Sequence, residues 1–301
     1  MLWGDYSLEA RTMITEVVLT GTGYPRPHPD RAGPGTMVRR GDCVLQFDAG
    51  RGTVMRLAAL EVSCRQLSAL FVTHHHSDHL VALPDVALTR WIARDPGRDD
   101  TPLVVVAPDG PAARFSERVL EPWADDIAVR VAQMGRGTAP GVQCIPFEVT
   151  SGVTEVWREG DVGVSACAVH HEPVLPSVAY RVDTPDGGVV ISGDTRACDE
   201  LATLAAGAEV VVHEVIRSGA VRGAFANAIT DYHADSVALG ELMSRTDVPV
   251  LMLTHIIPAP KSDADEQALI DEVRDGGYRG QIIVGRDLCR YVLGSGARTP
   301  P

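Results

Sequence analysis

The sequence predicts an α/β fold in which two similar halves form one sandwich. Short apolar runs typical of buried strands alternate with segments whose apolar residues recur at helical spacing. A β-rich stretch followed by strand–helix alternation occurs twice along the chain, which suggests two related halves. Several of the apolar runs also end in histidine or aspartate, and side chains at the strand ends of one sheet edge share a common crevice.

The chain is predicted to begin with an N-terminal arm, residues 1–12, followed by a single domain, residues 13–301. The arm matches no periodic pattern, whereas residues 13–19 are typical of a first strand. A loop rich in proline and glycine follows. Residues 36–40 and 43–48 then flank a Gly-Asp pair, which predicts a hairpin.

The first half continues with alternating elements up to an irregular middle. Residues 124–141 contain three glycines and a proline and are predicted to be irregular. The middle region that includes them, roughly residues 90–141, is predicted to form either a lid or a dimer surface. The predicted helices of this half are residues 50–61, 80–94 and 111–123, and the predicted strands are residues 67–72 and 103–106.

The second half opens with a run of strands and ends in strand–helix alternation. Residues 215–232 are predicted to be a long flexible loop because they contain Gly219 and Gly223. The predicted strands are residues 142–149, 154–157, 162–169, 178–182, 188–192, 209–212 and 248–253, with final strands near Ile282 and Tyr291. The predicted helices are residues 201–206, 233–243 and 263–274.

The most informative stretch is the histidine loop, residues 73–79, which reads Thr-His-His-His-Ser-Asp-His directly after a predicted buried strand. Imidazole nitrogen and carboxylate oxygen are donors that suit zinc and similar divalent ions. In a tight turn, His74 and His76 can point one way while Asp78 and His79 point another. The loop alone therefore predicts ligands for two metals.

Three further strand ends repeat this pattern. An apolar run leads to His170 and His171, another to Asp194, and a third to His255. One such residue is usually a satisfied polar cap at a strand end, but four such positions in one chain point to a common site. Spacing alone leaves open which of the two adjacent histidines is a ligand.

These motifs resemble those of the metallo-β-lactamase superfamily, over residues 13–292. The resemblance is strongest to the branch that contains ribonuclease Z and arylsulfatase-like phosphodiesterases, and weaker to the true β-lactamases. Besides the histidine loop, the matching stretches are Leu19-Thr20-Gly21-Thr22-Gly23, Phe47-Asp48-Ala49-Gly50, His171-Glu172-Pro173, Ala179-Tyr180-Arg181, Ser192-Gly193-Asp194-Thr195, His213-Glu214 and Leu253-Thr254-His255.

The resemblance implies an αββα sandwich with two divalent metal ions in a crevice, zinc by default with Mn²⁺ or Fe²⁺ as alternatives. It implies one metal held by His74, His76 and His171 and a second held by Asp78, His79 and His255. Asp194 would bridge the two metals together with a water or hydroxide. The family pattern His-x-Pro favours His171 over His170 as the ligand.

The same resemblance implies catalytic roles for His233 and Glu214, besides Asp78. His233 stands where this branch has a catalytic histidine just before a helix, and it would donate a proton to the leaving group or stabilise the developing negative charge. Glu214 would orient His233 through a hydrogen bond.

The substrate is predicted to be a small anionic or cyclic ester, with a phosphodiester or sulfate ester favoured. Ribonuclease Z enzymes carry a long arm for tRNA between the third histidine motif and the bridging aspartate, and here only 22 residues separate His171 from Asp194. The alternatives are ring opening of a lactone or cyclic amide and 3′ processing of tRNA. An iron oxidoreductase and a non-catalytic metal-binding protein fit the sequence less well, since no flavin domain is evident and all seven ligands are present.

Composition sets the remaining expectations. The net charge of −13 disfavours nucleic acid as a partner, because a phosphate backbone calls for a basic face. No apolar run is long enough to span a membrane, and the six cysteines are scattered without C-x-x-C pairs. We therefore expect a cytoplasmic protein with reduced thiols and no membrane partner, and a homodimer is compatible with the sequence.

Overall fold

The computed structural model describes residues 13–93, 101–133, 138–223, 226–294 and 298–299. The predicted N-terminal arm lies outside these residues, as do residues 134–137 of the predicted lid or dimer surface. The strands β1 to β15 are Glu16–Gly21, Gly35–Arg40, Cys43–Phe47, Ala69–Phe71, Leu103–Pro108, Val142–Phe147, Thr154–Glu159, Val162–Ala168, Val178–Thr184, Gly187–Ile191, Val210–Ile216, Val250–Ile257, Gln281–Val284, Arg290–Val292 and Arg298–Thr299. The helices α1 to α9 are Thr53–Ala59, Ser77–Leu80, Leu83–Ile92, Pro111–Arg118, Ala124–Gln133, Asp199–Ala205, Ala226–Thr230, Ser236–Ser244 and Asp263–Asp275. Single 3₁₀ turns occur at Cys64–Gln66, Glu121–Trp123 and Ser218–Ala220.

The strands form two sheets that pack face to face, with helices on the outer faces. The first sheet has the order β15-β14-β1-β2-β3-β4-β5-β6 and the second β13-β12-β11-β10-β9-β8-β7. Apolar side chains of both inner faces, among them Phe47, Phe71 and Tyr180, form the core between the sheets. Two further apolar clusters join each sheet to its helices. This arrangement confirms the predicted αββα sandwich.

Strand direction brings the chemically interesting segments to one edge of the sandwich. In the first sheet β3, β4 and β5 run parallel, and β1 shares their direction because β2 is antiparallel to both β1 and β3. In the second sheet β10, β11 and β12 run parallel, and β8 shares their direction through β9. The carboxyl ends of all these strands lie at what we call the histidine edge.

The irregular structure predicted for residues 124–141 is only partly found, because residues Ala124–Gln133 form helix α5. The glycines and the proline that suggested a loop all come after this helix, and its own sequence contains no helix breaker. Asp125 and Asp126 lie in its first turn, and Asp126 pairs with Arg130 one turn later at 2.9 Å. None of its described side chains is buried, and its role as lid or dimer surface remains a prediction.

The loop predicted for residues 215–232 is also shorter than expected. Strand β11 continues to Ile216, so His213 and Glu214 belong to it, and residues 226–230 form helix α7. The strand persists because β12 runs parallel to it and pairs with it through Ile216, whereas β10 pairs with it only as far as Val212. Likewise, the helix predicted to begin at His233 begins at Ser236, since Asp235 caps it by accepting a hydrogen bond from the Val237 N–H.

The expectations drawn from composition concern thiols and membranes. All six cysteines are free thiols in the structure. Among the helices that the structure describes, none has both the length and the apolar character needed to cross a bilayer.

Candidate metal centre

The histidine loop is held in place by Asp48, the residue that follows β3. The Asp48 carboxylate accepts hydrogen bonds from the backbone N–H and from the hydroxyl of Thr73, both at 2.9 Å, and lies 2.7 Å from Nδ1 of His79. Asp48 itself has a φ of 57°, in the left-handed region that few non-glycine residues adopt. Because Asp48 holds Nδ1 of His79, the other ring nitrogen of His79 is available as a ligand.

A first group of donors contains three histidines and one aspartate: His74, His76, His171 and Asp194. One ligand atom from each of the four lies within 4.8 Å of the others. Nδ1 of His171 donates to the Tyr232 carbonyl at 3.0 Å, so Nε2 of His171 faces the group and lies 3.2 Å from Nδ1 of His76. These are the residues that the sequence assigned to the first metal, together with the predicted bridging aspartate.

A second group, formed by Asp78, His79 and His255, adjoins the first. Its ligand atoms also lie within 4.8 Å of one another. Asp194 contacts members of both groups: its Oδ1 lies 3.3 Å from Nε2 of His79, and its Oδ2 lies 3.4 Å from Nε2 of His255 and 3.9 Å from Nε2 of His74. The structure therefore places Asp194 between the two groups, where the sequence expected a bridging ligand.

Several of these donor atoms are buried without a hydrogen bond among the described residues. They include Nε2 of His74, Nε2 of His79 and Oδ1 of Asp194. A buried polar atom left without a partner costs about 1–3 kcal/mol, and three of them facing one crevice indicate that another species satisfies them. Imidazole nitrogens and carboxylate oxygens around one point form the donor set that divalent metal ions prefer, so the residues fit a metal centre.

The protonation states of His74, His76 and Asp194 suit metal ligation. Burial and the neighbouring His171 lower the pKa of His76 to about 4, and burial holds the pKa of His74 well below its usual value. Burial alone would raise the pKa of Asp194, but the charges of His255 and His79 outweigh it and hold that pKa well below the usual range. Neutral imidazoles and an ionised carboxylate are the forms that bind metals. Burial would lower the pKa of His79, but Asp194 and Asp48 outweigh burial and raise that pKa well above its usual value, so His79 must lose a proton when a metal binds.

His233 and Glu214 lie beside the two donor groups. The buried Glu214 carboxylate accepts from Nδ1 of His233 at 2.8 Å, from the Thr195 N–H at 3.1 Å and from the Ala234 N–H at 3.3 Å. Burial opposes protonation of His233, but the Glu214 charge and hydrogen bond overcome it and raise the pKa of His233 to about 9. The His233 ring is stacked 5.4 Å from that of His255, and its ligand atom also groups with Asp194 and His255.

The structure separates the two adjacent histidines that the sequence left open. His170 points away from the donor groups, with 42% of its side chain exposed, and its ring nitrogens each lie 3.3 Å from a carboxylate, that of Glu172 and that of Glu200. His171 is buried and belongs to the first group. The structure therefore places His171, and not His170, among the donor groups, and its role as a ligand stays a prediction.

Two residues with evident positioning roles, Asp48 and Tyr232, were not assigned by sequence reasoning. Asp48 stands in a motif that contributed to the resemblance, but its contacts to Thr73 and His79 span 25 and 31 positions. Tyr232 orients His171 through its carbonyl, and its ring lies 5.0 Å from His171 and 4.8 Å from His233. A backbone carbonyl leaves no signal in a sequence, so only the fold reveals this role.

Comparison with known proteins gives a consistent result. The sequence pattern of the Metallo-beta-lactamase superfamily matches residues 29–255. Among curated proteins, the chain is similar to ribonuclease Z of Mycobacterium bovis (strain BCG / Pasteur 1173P2), with 37% identity over 283 residues, which covers 92% of this chain and 98% of the relative. It is also similar to ribonuclease Z of Mycolicibacterium gilvum (strain PYR-GCK), with 38% identity over 96% of this chain and 99% of the relative.

Solved structures agree on the fold. The metallo-beta-lactamase fold protein YhfI from Bacillus subtilis matches with a TM-score of 0.72 and 16% identity, over 93% of this chain and 99% of YhfI. The short form of human tRNase Z matches with a TM-score of 0.63 and 18% identity, over 92% of this chain and 98% of that protein.

The prediction that nucleic acid is an unlikely partner is wrong. It rested on the net charge and on a missing arm, but curated relatives that match nearly the full chain at 37–38% identity carry the name of a ribonuclease. The alternative of tRNA 3′ processing is therefore better supported than the hydrolysis of a small ester. The physical reason for the error is that a summed charge carries no information on where the basic side chains lie.

Proposed function

Because the chain belongs to the metallo-beta-lactamase superfamily and is a metal-dependent hydrolase, we propose that it hydrolyses a phosphodiester bond of RNA, with precursors of tRNA as its substrate class. The observation that carries the proposal is the pair of adjoining donor groups that share Asp194. Two metal ions side by side stabilise both the attacking and the leaving oxygen of a phosphodiester. The name and near full-length similarity of the mycobacterial relatives support RNA as the molecule that contains this bond.

The short connection between His171 and Asp194 does not argue against this proposal. The alignment with the relative from Mycobacterium bovis spans 283 residues and covers 92% of this chain and 98% of the relative, so neither contains a long segment that the other lacks. A protein that carries the name ribonuclease Z therefore shares the compact connection seen here. RNA binding would have to use surfaces other than a long arm.

We assign the two groups to two metal ions, with zinc as the first choice. His74, His76 and His171 would hold one ion, and Asp78, His79 and His255 the other, with Asp194 as the shared ligand. Bound there, divalent ions supply an activated water and stabilise negative charge on the phosphoryl oxygens. Asp78 is thus both a ligand and part of the catalytic centre.

His233 would act as the proton donor of the reaction. Glu214 accepts a hydrogen bond from Nδ1 of His233, which leaves Nε2 of the ring to face a substrate. A protonated imidazole at this position donates its proton to the ribose oxygen that leaves as the phosphodiester breaks. Glu214 also accepts two backbone N–H groups, so the carboxylate that orients His233 is itself fixed.

The direct test is incubation of purified, zinc- or manganese-loaded protein with a tRNA precursor transcript that carries a 3′ trailer. We expect cleavage at one position that is lost after chelation and in the Asp194→Ala variant. A parallel reaction with bis(p-nitrophenyl) phosphate and a lactone tests the earlier small-ester hypothesis. Hydrolysis of either small substrate with no cleavage of the transcript would overturn the proposal.

A further inference from the structure

An acidic protein that acts on RNA needs local positive charge, so the arrangement of the basic side chains is informative. The net charge is −13, and Lys261 is the only lysine in the sequence. Most described arginines are engaged by neighbouring acids or carbonyls. Arg118 pairs with Glu121 and Arg158 with Glu155, for example.

Among the arginine and lysine side chains that the structure describes, four are exposed and form neither a hydrogen bond nor an ion pair. They are Arg26, Arg51, Arg114 and Lys261, which we call the basic rim. Exposed acids also lie close in sequence, Asp30 near Arg26 and Asp109 near Arg114, yet neither pairs with a rim residue. The rim residues are thus charged groups that the fold itself does not use.

All four rim residues lie at the histidine edge. Arg26 is on the loop between β1 and β2, and Arg51 follows β3. Arg114 is in the first turn of α4, just after β5, and Lys261 lies between β12 and α9. Engaged arginines occur both at this edge, as with Arg196 and Arg217, and away from it, as with Arg158 at the end of β7, which lies opposite Gly163 near the start of β8.

Contacts between the loops place three rim residues on one flank of the metal centre. The loop that carries Arg26 contacts the segment of Arg51, since the Gly33 N–H donates to the Arg51 carbonyl at 2.8 Å. The same loop reaches the end of β13, where Arg31 donates to the Gly285 carbonyl at 2.9 Å. The next residue, Arg286, pairs with Glu266 of α9 at 3.0 Å, which brings the start of α9 and Lys261 to this flank.

The fourth rim residue, Arg114, lies on the opposite flank. Helix α4 begins after Gly110, and a Cβ built on Gly110 would lie 3.4 Å from Cδ of Pro176. Pro176 belongs to the loop that follows His171, a member of the first donor group. The metal centre therefore lies between Arg114 on one side and the other three rim residues on the other.

We propose that the basic rim binds the RNA backbone on both sides of the scissile phosphate, so that the strand crosses the metal centre from one flank to the other. This inference rests on the proposed function. Arginine and lysine bind phosphate groups while releasing counterions, and this gain does not depend on base sequence. The rim gives an acidic protein the local positive charge that RNA needs, without a long arm.

The test compares two variants that lose the same charge. In the rim variant Arg26, Arg51, Arg114 and Lys261 are changed to Gln; in the matched control the same change is made at four engaged arginines that are not in the rim: Arg118, Arg130, Arg158 and Arg279. For the precursor transcript, kcat/KM is measured over a range of salt concentrations. For bis(p-nitrophenyl) phosphate it is measured at one salt concentration.

We expect the rim variant to lose about tenfold or more in kcat/KM on the transcript at physiological salt. The slope of its plot of log(kcat/KM) against log salt concentration should become shallower by about 3, since each of the four phosphate contacts to a single strand contributes about 0.7 to that slope. Its activity on bis(p-nitrophenyl) phosphate should stay within about twofold, and the control should match wild type on both substrates. Equal losses of kcat/KM on the transcript in both variants would show an effect of net charge alone and overturn the inference. A rim variant that cleaves the transcript as wild type does would also overturn it. If wild type cleaves no RNA, the proposed function fails first and the inference with it.

A single substitution that makes the surface near the rim less negative adds a second check. Asp30→Asn removes a negative charge from the loop that carries Arg26, four positions after it, without changing a rim residue. We expect a steeper salt dependence and a modest gain in kcat/KM on the transcript, with no change on bis(p-nitrophenyl) phosphate. A loss on the transcript would contradict the electrostatic account.

Discussion

Asp194 connects the two donor groups of the metal centre more directly than any other described residue. One of its carboxylate oxygens approaches His79, and the other approaches His255 and His74. A ligand that contributes to two ions should affect both when it is removed, whereas an outer histidine should affect one. The proposed assignment therefore predicts that removing Asp194 reduces the bound metal more than removing one outer histidine does.

Asp194→Ala is expected to bind less metal than His76→Ala after dialysis against a weak chelator. Elemental analysis of the two variants beside wild type measures this directly. Asp199→Asn, a change at an exposed carboxylate that pairs only with Arg245, is the control and should retain the wild-type content. An Asp194→Ala variant that keeps as much metal as His76→Ala would contradict the shared-ligand assignment.

His233 is expected to serve the reaction and not the binding of metal. His233→Ala should retain its metal content and melting temperature while turnover falls by roughly 10²–10⁴-fold, the usual effect of losing a proton donor or a charge-stabilising group. The loss should be smaller for nitrophenyl esters, because nitrophenolate departs with little help. Since His233 also groups with Asp194 and His255, loss of one metal would instead identify it as a ligand.

At the residue scale, the sequence predicted what is local and missed what is distant. The histidine loop was recognisable because four imidazoles and a carboxylate fall within six positions. The choice between His170 and His171 needed the family pattern, since adjacent residues share the same spacing. The role of Tyr232 could not be predicted, because it acts through a backbone carbonyl on a residue 61 positions away.

At the element scale, close packing of loops at the histidine edge shapes the metal centre. Gly50, just after Asp48, allows two segments to approach closely. A Cβ added there would lie 2.3 Å from the carbonyl carbon of Gly33, 2.5 Å from the Pro34 nitrogen and 2.7 Å from the Asp78 carbonyl oxygen. All three are backbone atoms, so no side chain can rotate away to make room.

Gly50→Ala is therefore expected to destabilise the protein by about 1–3 kcal/mol, the usual cost of overpacking, and to weaken metal binding because the backbone of Asp78 must move. Urea unfolding and zinc titration measure the two effects. Gly152→Ala is the matched control, since a Cβ there meets no atom within 4 Å. Unchanged zinc affinity in a destabilised Gly50→Ala would show that this packing supports the fold alone.

Helices and strands were predicted well where the residues that begin, turn or end them lie within or next to the element in the sequence. The hairpin of β2 and β3 followed from the Gly-Asp pair between its strands. Helix α9, predicted as residues 263–274, lies at Asp263–Asp275, and in the structure the side chain of Ser262 caps it. Helix α5 was missed because the glycines and proline beyond its end were taken to describe the whole segment. Strand β11 was predicted too short because its parallel pairing with β12, which the sequence does not reveal, extends it through Ile216.

At the scale of the whole molecule, the net charge is a poor guide to the partners of this protein. A net charge of −13 predicts long-range repulsion of other negatively charged molecules. It is, however, a sum over charged groups that the fold places far apart. The described arginines away from the histidine edge are largely engaged by acids or carbonyls, whereas the basic rim is not. The prediction against nucleic acid failed because charge placement, unlike total charge, depends on strand order.

The metal centre should also contribute to the stability of the whole fold. The buried Nε2 atoms of His74 and His79 and Oδ1 of Asp194 have no hydrogen bond among the described residues, which is costly unless an ion binds there. A ligand that binds only the folded state stabilises it by about 2.7 kcal/mol at a hundredfold excess over Kd. For a chain of 301 residues, that corresponds to a rise in melting temperature of roughly 4 °C for each bound ion. Calorimetry of chelator-treated protein before and after zinc addition measures the shift, with Asp194→Ala as the variant expected to show a smaller one. A melting temperature that zinc leaves unchanged in wild type, at concentrations where elemental analysis shows none bound, would contradict the proposed metal centre.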